Sequence, residues 1–378
     1  MQIRRLVLRG FRNYRELDFS VAGQLCLLLG ENAQGKTSLL EAIYCAATGR
    51  SFRASLDEEL IAWNSREADI RCLVEKDLGE AEIEIQLSRG RNKRIRVNGQ
   101  LVRRHSDLFG HLNVVTFTPD DLQLVKGSPA GRRRFLDIEL AQVSGTYRHD
   151  LLNYHHILRQ RNSLLKSMAE GRENRETREA LAMWDEQLVR CGSRVMWKRT
   201  EAVAKLAAIG RHFHGEITNG AEELTICYRP FYEKAVPPTT SPASPAEIET
   251  AFRAALARLQ PVEIRRGQTM VGPQRDDIDF LIDRRPVRIY GSQGQQRTAV
   301  LAGKLAEVDF MREETNEYPV LLLDDVMSEL DQQRRQFFLQ SVTGRVQTFI
   351  TATSQAYFPE PFLQKAQVAT IKAGSLEV

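Results

Sequence analysis

The pattern of hydrophobic and polar positions divides the chain into a strand-rich beginning, a helical middle and a mixed end. Near the N-terminus, alternating residues predict half-buried strands, whereas the continuous apolar run Leu25–Leu29 predicts a fully buried one. A helix is predicted from Ser38 to about Thr48, with Gly49 as its C-cap. The other strands predicted in this part are Ile3–Leu8, Arg15–Phe19, Ile70–Val74, Ala81–Leu87, Lys93–Val97, before a hairpin turn at Asn98-Gly99, and Val114–Phe117.

From about residue 130 the hydrophobic period becomes helical. Two long amphipathic helices are predicted at Tyr147–Lys166 and from Glu176 to about Gly210, with a polar link at Ala169–Thr177. The shorter elements predicted after them are a strand at Leu224–Tyr228, a Pro- and Ser-rich loop at 236–245, a helix at Ala246–Leu259, a hairpin of Asp279–Ile282 with Val287–Tyr290, and a helix at Ala299–Phe310.

These periods predict an α/β protein with two domains. Residues 1–118 and 265–378 would form mixed sheets with helices, and residues 119–264 would form an inserted, mainly helical lobe. A length of 378 residues suggests roughly two to three domains and is therefore sufficient for both.

A glycine-rich turn between the buried strand and the first helix has the pattern of a phosphate-binding loop. Its residues are Gly30, Glu31, Asn32, Ala33, Gln34, Gly35, Lys36, Thr37 and Ser38. The glycines permit backbone angles that turn amide groups toward phosphate oxygens at the start of a helix. Lys36 would contact the β- and γ-phosphates of ATP, and the Thr37 hydroxyl would bind Mg²⁺. A chance match in an ordinary turn is the alternative, and the flanking strand and helix argue against it.

A second buried strand, Pro319–Leu323, ends in the carboxylates Asp324 and Asp325, which is a Walker B pattern. Asp324 would help to hold Mg²⁺, and Asp325 would orient or deprotonate the attacking water, so that Lys36 and Asp325 are the candidate catalytic residues. The alternative is a pair of helix N-caps after a strand.

The stretch Gly291–Thr298, placed directly before the predicted helix at Ala299, offers small residues and a hydroxyl at a helix start. Free amides and the positive end of the helix dipole make such a place suitable for an anion. Taken alone, an ordinary N-cap explains it equally well.

Charge and cysteine content restrict the function classes only weakly. A formal net charge of +4 permits a nucleic-acid partner without requiring one. No apolar run approaches the roughly 18 residues that a membrane span needs, so we expect no membrane contact. The five cysteines are odd in number and far apart, which indicates reduced thiols in a cytoplasmic protein and no cysteine metal site.

Two further motifs resemble those of a known family. Ser292, Gln293, Gly294 and Gln295 resemble the signature motif of ABC-type ATPases, and Ser328–Asp331, with Ser328 and Asp331 as its polar ends, resembles their D-loop. The whole chain is similar to the RecF family of bacterial recombination mediators. The matching stretches are Phe11–Tyr14, Gly30–Ser38, Gly49–Arg53, Gly272–Asp277, Ser292–Thr298 and Leu321–Asp331.

The resemblance implies an ABC/SMC-like ATPase head without a long coiled coil. It also implies an ATP-dependent homodimer, in which the signature of one subunit completes the nucleotide site of the other. Such a dimer would bind single- and double-stranded DNA at gaps and junctions. With the RecO and RecR proteins, it would promote loading of RecA in gap repair, replication restart and the SOS response.

Three departures qualify this resemblance. Asp325 stands where transporter ATPases carry glutamate, and Thr351 and Thr353 stand at the switch position where they carry histidine. Both features suit the RecF family and suggest a slow ATPase. Gln274 replaces the histidine usual in the family, and the stretch from Thr116 to Gln123 is only a candidate Q-loop.

DNA contacts would come from basic residues, because phosphate contact needs only charge and reach. The candidates are Arg103, Arg104, Arg132 and Arg133, although solvated faces explain such clusters as well.

Two other function classes stay open. One is the ATP-binding subunit of a membrane transporter, against which the helical insertion and the missing switch histidine argue. The other is a small-molecule kinase or a GTPase, but the stretch Asn92–Ile95 lacks the aspartate of a guanine-reading motif.

Overall fold

The computed structural model describes residues 1–233 and 244–377, and within them the side chains of His105 and Glu233 are left out. The chain forms two compact units. The first, here called the head, comprises Met1–Asp121 and the stretch from Val300 onward; the second, here called the lobe, comprises Leu122–Ala299. Residues 265–299 therefore group with the lobe and not, as the sequence suggested, with the head.

Fifteen strands lie within the described residues. They are β1 (Gln2–Phe11), β2 (Tyr14–Ser20), β3 (Leu25–Leu29), β4 (Glu67–Lys76), β5 (Gly79–Ser88), β6 (Arg94–Val97), β7 (Gln100–Leu101), β8 (Val114–Phe117), β9 (Leu224–Arg229), β10 (Asp277–Ile282), β11 (Arg285–Pro286), β12 (Val320–Asp324), β13 (Thr348–Ala352), β14 (Ala366–Lys372) and β15 (Ser375–Glu377).

The α-helices of the same residues are α1 (Lys36–Thr48), α2 (Leu122–Lys126), α3 (Pro129–Val143), α4 (Gly145–Ser167), α5 (Arg175–Ile217), α6 (Pro245–Arg266), α7 (Val287–Tyr290), α8 (Gln293–Thr315), α9 (Gln332–Val342) and α10 (Glu360–Leu363). The Pro- and Ser-rich loop expected at 236–245 lies outside the described residues, except for its last two positions.

Two six-stranded sheets build the head. One is antiparallel, in the order β2-β1-β4-β5-β6-β7, and the other has the order β15-β14-β3-β13-β12-β8. In the second sheet β14, β3, β13, β12 and β8 run parallel, so the carboxyl ends of β3, β12 and β13 meet at one edge. Loops that bind ligands in α/β proteins leave the sheet at such an edge.

Helix α1 lies in the core of the head. Almost all of its residues are buried, and its apolar side chains join a single hydrophobic cluster with residues of both sheets. A helix that is buried on all sides has a fixed position, and so has the loop that leads into it. Gly49 ends α1 in the left-handed conformation, as its sequence position predicted.

The lobe is mainly helical, with α4, α5 and α6 packed together and a three-stranded sheet in the order β11-β10-β9. Helix α5 has 43 residues and is longer than its hydrophobic period alone predicted. The link before it contains the π-helical turn Met168–Arg172, in which Gly171 has a φ of 91°.

Two predictions about the lobe are wrong. Residues Val287–Tyr290 form a helix, and the strand that pairs with β10 is Arg285–Pro286. Four residues are too few to distinguish a period of 2 from one of 3.6. The helix expected from Ala299 begins six residues earlier, at Gln293, because Ser292 and Gln295 cap it.

Candidate nucleotide-binding site

The loop Gly30–Gly35 joins the buried strand β3 to helix α1, as the phosphate-loop pattern predicted. Gly30 and Gly35 have φ values of 154° and 120°, which side chains rarely permit. A Cβ atom at Gly30 would lie 2.5 Å from the carbonyl oxygen of Ile371, and one at Gly35 would lie 2.6 Å from Nδ2 of Asn13. Both positions therefore require glycine.

Hydrogen bonds from two neighbouring turns hold the carbonyl side of this loop. The Gln34 carbonyl accepts from Nδ2 of Asn13 at 2.7 Å and from the amide of Gly374 at 3.0 Å, and the Tyr14 hydroxyl donates to the Gly35 carbonyl at 2.9 Å. In a trans peptide the N–H points opposite to the C=O. With the Gln34 carbonyl held on one side, the amide of Gly35 is directed to the other.

Lys36 begins α1 and is buried. Its Nζ donates to the carbonyls of Gly30, at 2.5 Å, and Glu31, at 2.8 Å. Burial lowers the pKa of Lys36, and the charges of Asp325 and Asp324 oppose this effect. The ammonium thus lies among weak acceptors that an anionic phosphate oxygen can replace.

The next residue, Thr37, meets the Walker B strand. Its Oγ1 donates to Oδ1 of Asp324 at 2.8 Å, and Oγ1 of Thr351 donates to the same oxygen at 2.9 Å. Asp324 and Thr351 face each other because β12 and β13 are parallel neighbours in this register. Thr353, the other predicted switch residue, is exposed beyond the end of β13.

Asp325 follows β12 in a left-handed conformation, with a φ of 53°. Its amide donates to Oγ1 of Thr351 at 2.9 Å, which fixes the turn. Among the described residues no hydrogen-bond partner is found for its buried Oδ1. Burial raises the pKa of Asp325, Lys36 lowers it, and Asp324 raises it further. A carboxylate with a raised pKa is suited to accept a proton from water.

These residues line one cavity of about 1020 Å³ in the head. Asn32, Ala33, Gly35, Lys36, Thr37, Ser38, Asp324 and Asp325 belong to its wall. Of the candidate Q-loop stretch, Pro119 also contributes. Hard oxygen ligands, an ammonium and a glycine-shaped loop on one wall fit a Mg²⁺–nucleotide complex.

The signature residues lie in the lobe, at the start of the 23-residue helix α8. Ser292 and Gln295 cap the helix reciprocally: Ser292 Oγ accepts from the Gln295 amide at 3.2 Å, and Gln295 Oε1 accepts from the Ser292 amide at 2.8 Å. Gln293 and Gly294 form the first turn, and Ser292 and Gln293 are exposed. As an N-cap acceptor, the Ser292 hydroxyl keeps its own proton for another acceptor.

The first and last residues of the D-loop, Ser328 and Asp331, are both engaged in the head. Ser328 Oγ donates to the carbonyl of Asp325 at 2.8 Å, which joins the D-loop to the Walker B turn. Asp331 accepts from the amide of Arg334 at 2.9 Å and caps α9.

Arg132 is not available for DNA, contrary to the sequence expectation. Its side chain is buried in the lobe and makes two hydrogen bonds, of 2.7 and 3.0 Å, to the carboxylate of Asp277. Arg133 is half-buried and donates to the Asp276 carbonyl at 2.7 Å. Arg103 and Arg104, in the head, are exposed.

The sequence pattern assigns no role to Glu41, a charged residue in the helix that follows the phosphate loop. Glu41 of α1 is fully buried and accepts two hydrogen bonds from Arg12, of 2.8 and 2.7 Å, and one from Ser51. Arg12 also donates to the Glu59 carbonyl at 2.8 Å. A lone glutamate among the apolar residues of α1 was the available signal.

The motif Gly272–Asp277 contains a buried polar residue of the lobe, Asp276. The Asp276 side chain accepts from the Tyr228 hydroxyl and, at 2.8 Å, from the Phe231 amide, and Arg199 lies 3.5 Å away. Burial raises the pKa of Asp276 to about 6, against the effect of Arg199. Gln274 accepts from the Tyr154 hydroxyl.

In the part of the chain that the structure describes, no group of three or more histidine, cysteine or acidic residues could hold a metal ion by itself. Within the same residues, every helix is too short or too polar to cross a membrane.

Comparisons with known proteins agree with this geometry. The family model described as RecF/RecN/SMC N terminal domain matches residues 2–372. A protein of Synechocystis sp. named DNA replication and repair protein RecF is 41% identical over 382 residues, covering 100% of this chain and 98% of its own length. Its namesake in Bacillus subtilis is also 41% identical, over 376 residues and the full length of both chains.

The fold is also similar to that of a solved structure, the recombination mediator protein RecF with ATP in the RecFOR pathway. The TM-score is 0.90 at 34% identity, and the match covers 99% of this chain and 96% of the other. With the family model and the relatives, this places the chain in the RecF family of the SMC/ABC ATPase superfamily.

Proposed function

We propose that this chain is an ATP-dependent DNA-binding protein of recombinational repair, whose homodimer is switched by ATP binding and slow hydrolysis. The observation that carries the proposal is that Lys36, Thr37, Asp324 and Asp325 line one cavity. An ammonium, a hydroxyl and two carboxylates are the groups that ATP hydrolysis requires. Membership of the RecF family argues against a transporter subunit, a kinase or a GTPase.

Each of these cavity residues would have its own role in binding and hydrolysing ATP. Thr37 and Asp324 would hold Mg²⁺, whose charge offsets that of the phosphates. Lys36 would exchange the carbonyls of Gly30 and Glu31 for phosphate oxygens. The free carboxylate oxygen of Asp325 would orient the attacking water and accept its proton. Because aspartate reaches one methylene less far than glutamate, this arrangement favours slow turnover, which suits a switch better than a motor.

Dimerisation would supply the remaining groups. Each chain has one phosphate loop and one signature, so two composite sites require two chains related by a two-fold axis. Ser292 and the N-terminus of α8 would then stabilise the γ-phosphate of the partner's nucleotide. The exposure of Ser292 and Gln293 supports this role.

DNA would be the substrate that the closed dimer holds. Relatives of this chain are named for DNA replication and repair, and a similar protein of known structure is described as a recombination mediator in the RecFOR pathway. In this chain the exposed Arg103 and Arg104, and to a lesser degree Arg133, are the candidate phosphate contacts. We place the action in the cytoplasm, on single- and double-stranded DNA at gaps and junctions. With RecO and RecR, it would promote RecA loading in gap repair, replication restart and SOS induction.

Light scattering tests the proposal directly. With ATP, Mg²⁺ and gapped DNA, the protein part of the complex should double from 43.0 kDa. Lys36→Met serves as the control and should stay monomeric under the same conditions. A monomeric wild-type protein in the presence of ATP and gapped DNA would contradict the switch.

A further inference from the structure

Trp63 is the most conspicuous side chain of the head that has no role in the site described so far. It is 95% exposed, whereas Trp184 and Trp197, the other tryptophans, are half-buried. A tryptophan offers a large apolar surface whose exposure to water is unfavourable. A single exposed apolar residue is ordinary on a protein surface, so the place of Trp63 decides whether it has a role.

The place of Trp63 is the wall of the nucleotide cavity. It lines the same cavity as Lys36 and Thr37, together with the apolar side chains of Ile61 and Leu56, the latter 65% exposed. The segment that follows α1 therefore contributes apolar side chains beside the charged ones of Arg53, Glu58 and Glu59, and the phosphate loop lines the same cavity. A nucleoside triphosphate likewise has a charged part, the phosphate chain, and a flat aromatic part, the base.

The backbone turn that carries Trp63 is held in place. It is the second residue of the turn Ala62–Ser65, which the Ser65 amide closes by donating to the Ala62 carbonyl at 2.9 Å. The Ala62 amide donates to the Gly10 carbonyl at 2.8 Å. Gly10 must be a glycine, because a Cβ there would lie 2.5 Å from the Glu67 carbonyl oxygen.

The same segment is connected to the phosphate loop through Arg12. The Arg12 amide donates to the Leu60 carbonyl at 2.8 Å, its Nη1 donates to the Glu59 carbonyl, and its Nε and Nη2 bind Glu41 of α1. The segment that leads into the Trp63 turn and the helix that carries Lys36 are thus both bonded to Arg12. A backbone that is already ordered loses little conformational entropy when a ligand binds.

We propose that Trp63 is the platform on which the base of the bound nucleotide stacks. This inference rests on the proposed function, because it requires ATP at the phosphate loop. Stacking on an aromatic ring uses the π-face that every base has, so it adds affinity without reading the edge of the base. Trp63 therefore contributes equally to the binding of ATP and GTP.

Isothermal titration calorimetry on the full chain separates the base from the phosphates. The probes are ATP, GTP and inorganic tripolyphosphate, each with Mg²⁺. Trp63→Ala should weaken ATP and GTP by roughly ten-fold, since one base stacked on an aromatic ring contributes on the order of 1–3 kcal/mol, and should leave tripolyphosphate unchanged. Trp63→Phe should recover most of the affinity. Leu78→Ala is the matched control, because Leu78 is 97% exposed in the same unit but does not line the cavity.

Unchanged ATP affinity in Trp63→Ala would overturn the platform, and so would an equal loss for tripolyphosphate, which would mean that the loop itself had moved. Loss of dimerisation or of DNA binding at unchanged ATP affinity would overturn it too, and would assign Trp63 to a macromolecular contact. If the wild-type protein bound neither ATP nor tripolyphosphate, the proposed function would fail together with the platform.

Discussion

Removing one partner of the buried pair Arg12–Glu41 should strongly destabilise the head, because the other charge is then left without compensation. Glu41 is 0% exposed and Arg12 is 24% exposed. The pKa of Arg12 is raised, chiefly by its hydrogen bonds to Glu41. Arg12→Met keeps the aliphatic stem but leaves the carboxylate of Glu41 buried, with Ser51 as its remaining described hydrogen-bond donor.

An uncompensated buried charge costs about 3–5 kcal/mol of unfolding free energy, and we expect Arg12→Met to lose an amount in this range. Glu41→Gln should lose less, because the guanidinium it leaves behind is partly exposed and can be hydrated. The double variant Arg12→Met with Glu41→Met removes both charges and should recover much of the loss. The control is Arg5→Met on the preceding strand β1, whose pair with Asp18 is about half exposed and should contribute much less to stability.

Equilibrium urea unfolding followed by circular dichroism measures these differences. The transition of the head is the one that Mg²⁺–ATP moves to higher urea, because the nucleotide binds only the folded head. The reasoning is refuted if Arg12→Met costs no more than Arg5→Met, or if the double variant is less stable than Arg12→Met alone.

Four further outcomes are expected. Lys36→Met should abolish ATP binding in calorimetry, and normal affinity would remove the phosphate-loop assignment. Ser292→Arg should bind ATP as a monomer but fail to dimerise in light scattering, because the new side chain would occupy the place of the partner's γ-phosphate. DNA affinity should fall steeply with salt in fluorescence anisotropy, and a flat dependence would exclude phosphate contacts. Asp276 has its pKa raised to about 6, so its ionisation destabilises the lobe as pH rises from about 4 through 6. Asparagine does not ionise, so the loss of unfolding free energy caused by Asp276→Asn should depend on pH. Measured by thermal unfolding of the lobe, this loss should be about 2 kcal/mol smaller at pH 7.5 than at pH 4.5.

The strands and loops of the nucleotide site could be predicted because their signals are local. The continuous run Leu25–Leu29 and the spacing from Gly30 to Thr37 specify a buried strand, a turn and a helix within a few residues of one another. Asp324 could be added because a buried strand that ends in carboxylates has few other uses. The hairpin turn at Asn98-Gly99 was recognisable for the same reason, since both residues adopt positive φ.

Short or boundary features were predicted less well. Val287–Tyr290 alternates like a strand, but Pro286 before it donates no hydrogen bond, and Ile289 and Tyr290 are both 69% exposed. The early start of α8 depends on the capping pair Ser292 and Gln295, whose polar side chains resemble those of a loop. The sequence predicts Arg132 at the surface because no residue near it in the chain indicates its partner Asp277, 145 positions away.

The supports of the phosphate loop could not have been predicted, for a physical reason. Asn13 and the amide of Gly374 both bind the carbonyl of Gln34, and Tyr14 binds the carbonyl of Gly35. Every residue type has a main-chain carbonyl, so the sequence of the loop does not indicate which residues bind its carbonyls. Glu41 differs, because a buried carboxylate needs a donor, and its presence in an apolar helix implies an arginine or a hydroxyl nearby. Buried charge is therefore the sequence signal from which the surroundings of such a loop can be inferred, whereas main-chain contacts become visible only in the folded chain.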